Sequence, residues 1–294
     1  MAQSSLKKES MGGKLFTIVN TTLLALIALI CLLPFVNVFA SSFATTQEIV
    51  EKKFVLFPTT FSLDAYRFIL STPTIFRSLG VSIGVTLAGT VVSMVLTALM
   101  AYGLSRKYLQ GRDFINFVVV FSMLFSGGMI PTFLVVKSLS LIDSYWSMII
   151  PVAINAFNLI IMRNFFQALP ESLEESAKID GSNDFGVFLK IMLPLALPSI
   201  ATLSLFYGVA YWNTYMNAIL YINDSVKWPI QVLLRQIVIV SSGMQGDNTS
   251  VDIIPPAQTI KMAVIVVATV PMLIAYPFVQ KHFTKGAMLG AVKG

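Results

Sequence analysis

Six stretches of this chain contain no Asp, Glu, Lys, Arg or His, and each is close to 20 residues long or longer. They lie between Lys14 and Glu48, Arg77 and Arg106, Asp113 and Lys137, Asp143 and Arg163, Lys190 and Asp224, and Lys261 and Lys281. A helix needs about 20 apolar residues to cross the hydrocarbon core of a bilayer, and a charge at its centre is costly. Every other uncharged stretch is much shorter, so the spacing predicts an all-α polytopic membrane protein with six transmembrane helices. Composition agrees: 12% of the 294 residues are charged and 56% are hydrophobic, against roughly 25% charged in an ordinary soluble domain.

The formal charge of +6 would suggest nucleic acid in a soluble protein. In so apolar a chain it reads as loop charge beside membrane lipid, with no nucleic acid partner. The N-terminus, the loop Ser105–Arg112, the loop Arg163–Lys190 and the C-terminus together hold twelve Lys and Arg, and the alternate segments hold eight over greater length. Both termini are therefore expected in the cytoplasm. The apolar run from Leu15 to about Val36 exceeds the 7–15 residues of a signal-peptide core and reads as an uncleaved anchor, although Lys7, Lys8 and Lys14 precede it.

No composition shift marks a second domain. The expected organisation is a cytoplasmic segment 1–14, a transmembrane domain 15–281 and a cytoplasmic tail 282–294. Phe61–Leu70 and Trp228–Val240 carry apolar residues at helical spacing within the two long external segments and predict short surface or re-entrant helices. Ser241–Ser250 and Pro255-Pro256 read as loop.

Catalytic chemistry has almost no candidates. Gly13-Lys14 lacks the upstream glycines of a phosphate-binding loop, and no HExxH, GxSxG or CxxC occurs. One histidine (His282) and one cysteine (Cys31) build neither a catalytic triad, a conventional zinc centre nor an internal disulfide. No ionisable group interrupts the six spans, which argues against a proton- or sodium-coupled carrier, although sodium held by backbone and hydroxyl oxygens stays open. Uphill transport by this chain would draw its energy from a partner.

The loop at about 163–194 contains LPESLEESAKIDGSNDFGVFLKIMLP. Pro170 suits a first helical position, Glu171, Glu174 and Glu175 suit the positive end of a helix, and Gly181 suits a left-handed C-terminal cap. A second short helix is expected after Ser182, running to Pro194. Leu173, Ala177 and Asp180 share one face, with Ala177 small enough for another surface to approach. On local physics alone this is equally a solvated helix-turn-helix between two spans.

The spacing Glu175-Ser176-Ala177, three residues, Gly181, nine residues, Ile191-x-Leu193-Pro194 resembles the EAA loop of permease subunits in bacterial ABC importers, with Ser176 where the family usually has alanine. Ala210–Ile222 (AYWNTYMNAILYI), Phe125–Val135 (FSGGMIPTFLV) and the ending YPFVQKHFTKGAMLGAVKG are similar to the carbohydrate branch, in particular its complex polysaccharide and oligosaccharide subgroup. The resemblance covers nearly the whole chain. It implies a type I ABC importer permease fold in a bacterial cytoplasmic membrane, with no catalytic residue, metal or cofactor of its own. A coupling helix carrying Glu174, Glu175, Ala177, Asp180 and Gly181 would dock on a separate ATPase. The implied partners are a second, different permease, two ATP-binding subunits that hold ATP and Mg, and an extracytoplasmic sugar-binding protein.

A substrate path is sought among uncharged polar and aromatic residues. Tyr207, Tyr211 and Tyr215 repeat every four residues in the fifth span, as do Asn213 and Asn217, with Trp212 between them. Aromatic faces suit the axial hydrogens of sugars and amides suit their hydroxyls. The same residues also suit an interfacial belt or bonds between helices. Asn155, Asn158, Ser126, Gly127 and Gly128 are further candidates, and Gly127-Gly128 before Pro131 should interrupt the third span. Gly80, Gly84 and Ala88 form a small-residue face expected to pack closely on another helix. A permease for another solute such as an amino acid or phosphate, and a self-powered transporter or channel, are the alternative readings.

Overall fold

The computed structural model describes residues 11–52, 54–241 and 258–291. Residues 1–10 of the expected cytoplasmic head, 292–294 of the expected tail and most of the expected loop Ser241–Ser250 and Pro255-Pro256 lie outside the described residues. Among those described, every regular element is helical. The chain divides into two compact units, 1–71 with 239–266, and 72–238 with 267–294.

The first unit begins with α1 (Met11–Ser42), followed by α2 (Thr46–Glu51) and α3 (Asp64–Ser71). Only Ala40, Ser41 and Ser42 of α1 are buried. Its apolar side chains are exposed around the whole circumference, as a helix surrounded by lipid or by other subunits requires. Order returns where α1 ends. The Ser42 and Tyr66 hydroxyls lie 2.8 Å apart, the Phe43 ring stacks on Phe61 and Tyr66, and Asn37 Oδ1 accepts the Val55 amide at 2.8 Å.

Glu48 organises the turn between α2 and α3. Its buried carboxylate accepts the Thr59 amide at 2.8 Å, the Thr59 hydroxyl at 2.7 Å, the Thr60 amide at 3.3 Å and the Lys52 ammonium at 3.0 Å. These donors, the Thr59 amide first, hold its pKa down to about 2 from an ordinary 4.5. A depressed carboxylate supports the fold fully above its unfolded pKa and loses that support as pH falls through the folded value. The turn should thus stay closed at pH 4 and open toward pH 2. Glu48→Gln is expected to accelerate hydrogen exchange at the Thr59 and Thr60 amides at neutral pH, and unchanged exchange would remove Glu48 from this role.

The second unit is built on α4 (Pro73–Ser105), a 33-residue helix that fills the second uncharged gap without a break. The third gap is divided into α5 (Arg112–Leu124) and α6 (Met129–Ser138), with Gly128 at φ +86 as the first cap of α6. Gly127-Gly128 therefore interrupts the span as expected. The fourth gap holds α7 (Trp146–Ile149), one 3-10 turn to Val152 and α8 (Ala156–Ala168), bent by 55°. The loop after α8 forms α9 (Glu171–Ile179) and α10 (Asp184–Val187), which passes through a π-helical turn, Phe188–Met192, into α11 (Leu193–Leu195). An 80° bend leads into α12 (Leu197–Trp212). Then come α13 (Met216–Tyr221), α14 (Ile230–Ser241) and α15 (Gln258–Ala291), the last assigned to the first unit through Val266 and to the second from Val267. α3 and α14 fall on the two stretches expected to form short helices; α2 was not expected.

Two helices, α1 and α4, are long and apolar enough to cross a membrane, or four spans if each bent pair counts as one, among the described residues. Core contacts centre on α4, α8 and α12, with Met94, Ala98, Ala101, Leu159, Met162, Phe166 and Leu203 buried. The small-residue face of α4 is not the expected one. Gly80, Gly84 and Ala88 are exposed, and the packed stripe is Ser78, Ser82, Gly89, Ser93 and Thr97. Hydroxyls on that stripe both permit close approach and satisfy polar groups: Ser82 Oγ accepts the Ile230 amide, an unpaired N–H at the start of α14, at 2.8 Å.

Candidate functional site

The EAA-like loop is a hairpin of two short helices. Pro170 is the N-terminal cap of α9, one position earlier than expected, so Glu171 opens the helix. Its far end closes with two bonds, Gly181 N–H to Lys178 O at 3.0 Å and Ser182 N–H to Ala177 O at 2.9 Å. This 5→2 and 6→1 pair is a Schellman cap, and Gly181 at φ +83 occupies its left-handed position. Asn183 Oδ1 then accepts the Gly186 amide at 2.7 Å and starts α10.

The hairpin faces its own subunit along Glu174 and Ala177, both buried. Ala177 lies in the core cluster that contains Phe166, Val187 and Phe188, so the approach it permits is intramolecular. Glu174 pairs with Arg106, which directly follows α4, and with Lys178 at 2.9 Å. Lys178 also reaches Asp184 at 3.0 Å, and Lys107 pairs with Glu171 at 2.6 Å. Hydrogen bonds to Glu174 and Asp184 push the Lys178 pKa up, and Lys178 in turn holds Asp184 below its usual value. The face turned away from the core carries Glu175, Asp180, Gly181 and Ile179, the last 86% exposed. Ile179 went unnoticed in the sequence because an isolated apolar residue in an acidic helix carries no periodic signal.

A cleft of about 460 Å³ opens between α8 and the end of α12, lined by Asn155, Asn158, Tyr207, Tyr211, Thr214 and Asn217 with apolar neighbours. A second, of about 800 Å³, shares Val152, Asn155 and Phe157 with it and adds Ser122 and Ser126. No charged residue lines either. The tyrosines are fixed: the Tyr211 and Ser93 hydroxyls lie 2.8 Å apart, those of Tyr207 and Thr97 2.7 Å apart, and the Asn155 amide donates to Tyr207 Oη at 3.0 Å. Tyr211 also donates to Ile149 O at 3.3 Å.

The other fifth-span candidates are disposed differently, because α12 stops at Trp212. Trp212 Nε1 donates to Ala268 O at 3.2 Å and Asn213 Nδ2 to Val209 O at 2.8 Å, while Tyr215 caps α13 with Arg235 over its ring at 4.6 Å. These three do not line the cleft, nor do Gly127 and Gly128. The four-residue tyrosine repeat is thus broken after Tyr211.

Residues 10–288 match the family of binding-protein-dependent transport system inner membrane components. The chain belongs to that family. Membership makes it a non-catalytic, inner-membrane permease subunit of a binding-protein-dependent importer. Among relatives of this permease, the polygalacturonan/rhamnogalacturonan transport system permease protein YtcP of Bacillus subtilis (strain 168) is 68% identical over 97% of this chain and 100% of its own length. Protein LplC of the same organism is 53% identical over the full length of both. A crystal structure of a bacterial ABC transporter involved in import of the acidic polysaccharide alginate contains a chain matching 93% of this permease and 98% of itself, with a TM-score of 0.84 at 33% identity.

Proposed function

We propose that this permease imports an oligosaccharide from an acidic plant- or alga-type polysaccharide, supplying half of the pathway and taking its energy from separate ATPases. The observation that carries the sugar reading is the cleft wall of Asn155, Asn158, Asn217, Tyr207 and Tyr211, amides and tyrosines without any charge. Such a wall suits sugar hydroxyls and ring faces. It offers no cation to a carboxylate, so the acidic character of the substrate rests on the likeness to the polygalacturonan/rhamnogalacturonan permease and the alginate importer, and the second permease is a different chain. Six spans with both termini in the cytoplasm put the α9–α10 hairpin on the ATPase side, where Glu175, Ile179, Asp180 and Gly181 form the docking edge. Two ATPases hold ATP and Mg there, and the sugar-binding protein delivers substrate from outside. Closure of the ATPases moves the hairpins and rocks the permeases about the clefts.

The test is uptake of labelled oligogalacturonate into liposomes. The assembled complex with its binding protein is expected to need ATP inside, and this subunit alone to take up nothing under a sodium or proton gradient. Gradient-driven uptake by the subunit alone would overturn the division of labour.

A further inference from the structure

We propose that Arg106 and Glu174 are a positioning pair that makes the cytoplasmic hairpin move as one body with α4, so that α4 carries the ATPase stroke to the cleft. The inference rests on reading α9 as the coupling helix.

Arg106 and Glu174 stand 68 residues apart in sequence and are only 8% and 7% exposed. Arg106 is held on every side: its guanidinium pairs with Glu174, lies 4.7 Å over the Tyr102 ring, and donates through Nε to Ser105 Oγ at 2.9 Å. Both arms of the hairpin are tied to this end of α4. From α9, Glu174 also accepts the Tyr108 hydroxyl at 3.4 Å. From α10, the Asp184 carboxylate shares that same Tyr108 proton at 3.3 Å, and the Asp184 backbone carbonyl accepts the Tyr102 hydroxyl at 3.3 Å. The Tyr102 ring packs against Phe166 and Phe188.

Stiffness favours this route to Tyr207 and Tyr211 over the covalent path to α12, which bears them. Along the chain, the hairpin reaches α12 only through the π-helical turn at Phe188–Met192 and the 80° bend that precedes Leu197. An irregular turn and a bend of that size absorb displacement. α4 has no break between Thr97 and Ser105, and an unbroken helix transmits a push along its axis. On it sit Thr97 and Ser93, whose hydroxyls hold Tyr207 and Tyr211 in the cleft wall. A buried ion pair is weak evidence for stability, since apolar residues of similar size commonly replace one without loss. What apolar residues do not supply is a fixed direction, and that is what a coupling element needs.

The experiment uses the complete complex in liposomes, reading the ATP hydrolysis rate and the sugar moved per ATP. Arg106→Met with Glu174→Met keeps the volume and removes the directional bond; Glu174→Gln keeps the shape and removes one charge. Both are expected to assemble with the ATPases and hydrolyse ATP, with sugar moved per ATP reduced at least fivefold in the double variant and by a smaller factor in Glu174→Gln. Lys107→Ala, which breaks the exposed pair with Glu171, should keep the wild-type ratio. A wild-type ratio in both test variants overturns the proposal. So does failure of both to assemble, because the pair would then be a folding element only. Gly181→Val separates the two readings: if it uncouples while the Arg106 and Glu174 variants do not, the strap is wrong and the coupling helix stands. If Gly181→Val leaves uptake intact, the coupling-helix reading itself has failed.

Discussion

Valine at position 181 is expected to remove most ATP-driven uptake while leaving the subunit in the membrane at its normal level. Gly181 adopts φ +83, and nothing lies within 4 Å of where a Cβ would stand, so the penalty comes from the backbone alone. The left-handed region costs an ordinary residue about 1–2 kcal/mol and a β-branched one more. Since about 1.4 kcal/mol is a factor of ten in an equilibrium, the Schellman-capped hairpin should lose about tenfold or more against an open form. Asparagine tolerates this region, so the series Gly181→Asn, Gly181→Ala, Gly181→Val should lose uptake in that order. None of these changes touches an apolar span. Uptake normalised to membrane-inserted subunit checks the order; equal uptake across the series would mean that the cap does not set the docking edge.

Why this cap could be read from the sequence, and other features could not, is a matter of range. Helix caps are decided by residues within one turn of each other, and Gly181 carried that information locally, whereas the Asn183 cap that starts α10 emerges only in the structure. The interruption at Gly127-Gly128 was legible for the same reason. Uncharged gaps located the apolar segments but said nothing of their direction, so the 55° bend before α8 and the 80° bend before α12 went unforeseen, although Pro151, Pro194 and Pro198 sit beside them. A tyrosine repeat was visible in the fifth span; that Tyr207 and Tyr211 bond to Thr97 and Ser93 was not, because those partners lie more than 100 residues away. The same holds for Arg106 and Glu174. On α4 two stripes of small residues compete, and only tertiary packing selects Gly89 over Gly84.

Alanine at that packed glycine should be far more damaging than at its exposed neighbour. An added Cβ at Gly89 would stand 2.7–2.8 Å from three atoms of the Tyr211 ring, closer than carbon atoms approach, whereas one at Gly84 meets nothing within 4 Å. The Tyr211 ring cannot swing aside freely: it is buried, and its hydroxyl is tied to Ser93 and to Ile149 O. Either α4 and α12 separate or the ring leaves its place, and overpacking of this kind costs about 1–3 kcal/mol. Gly84→Ala instead removes a helix-interior glycine, worth about 0.8–1 kcal/mol in favour of the helix. Thermal unfolding of the purified subunit should therefore shift in opposite directions for the two variants. Tyr211→Leu placed behind Gly89→Ala should recover part of the lost stability, because the two changes act on one contact and are not additive. It should not recover transport, since the cleft then lacks a wall residue. If Gly89→Ala unfolds at the same temperature as Gly84→Ala, the close seating of Tyr211 on α4 is wrong, and with it the rigid wall on which the cleft depends.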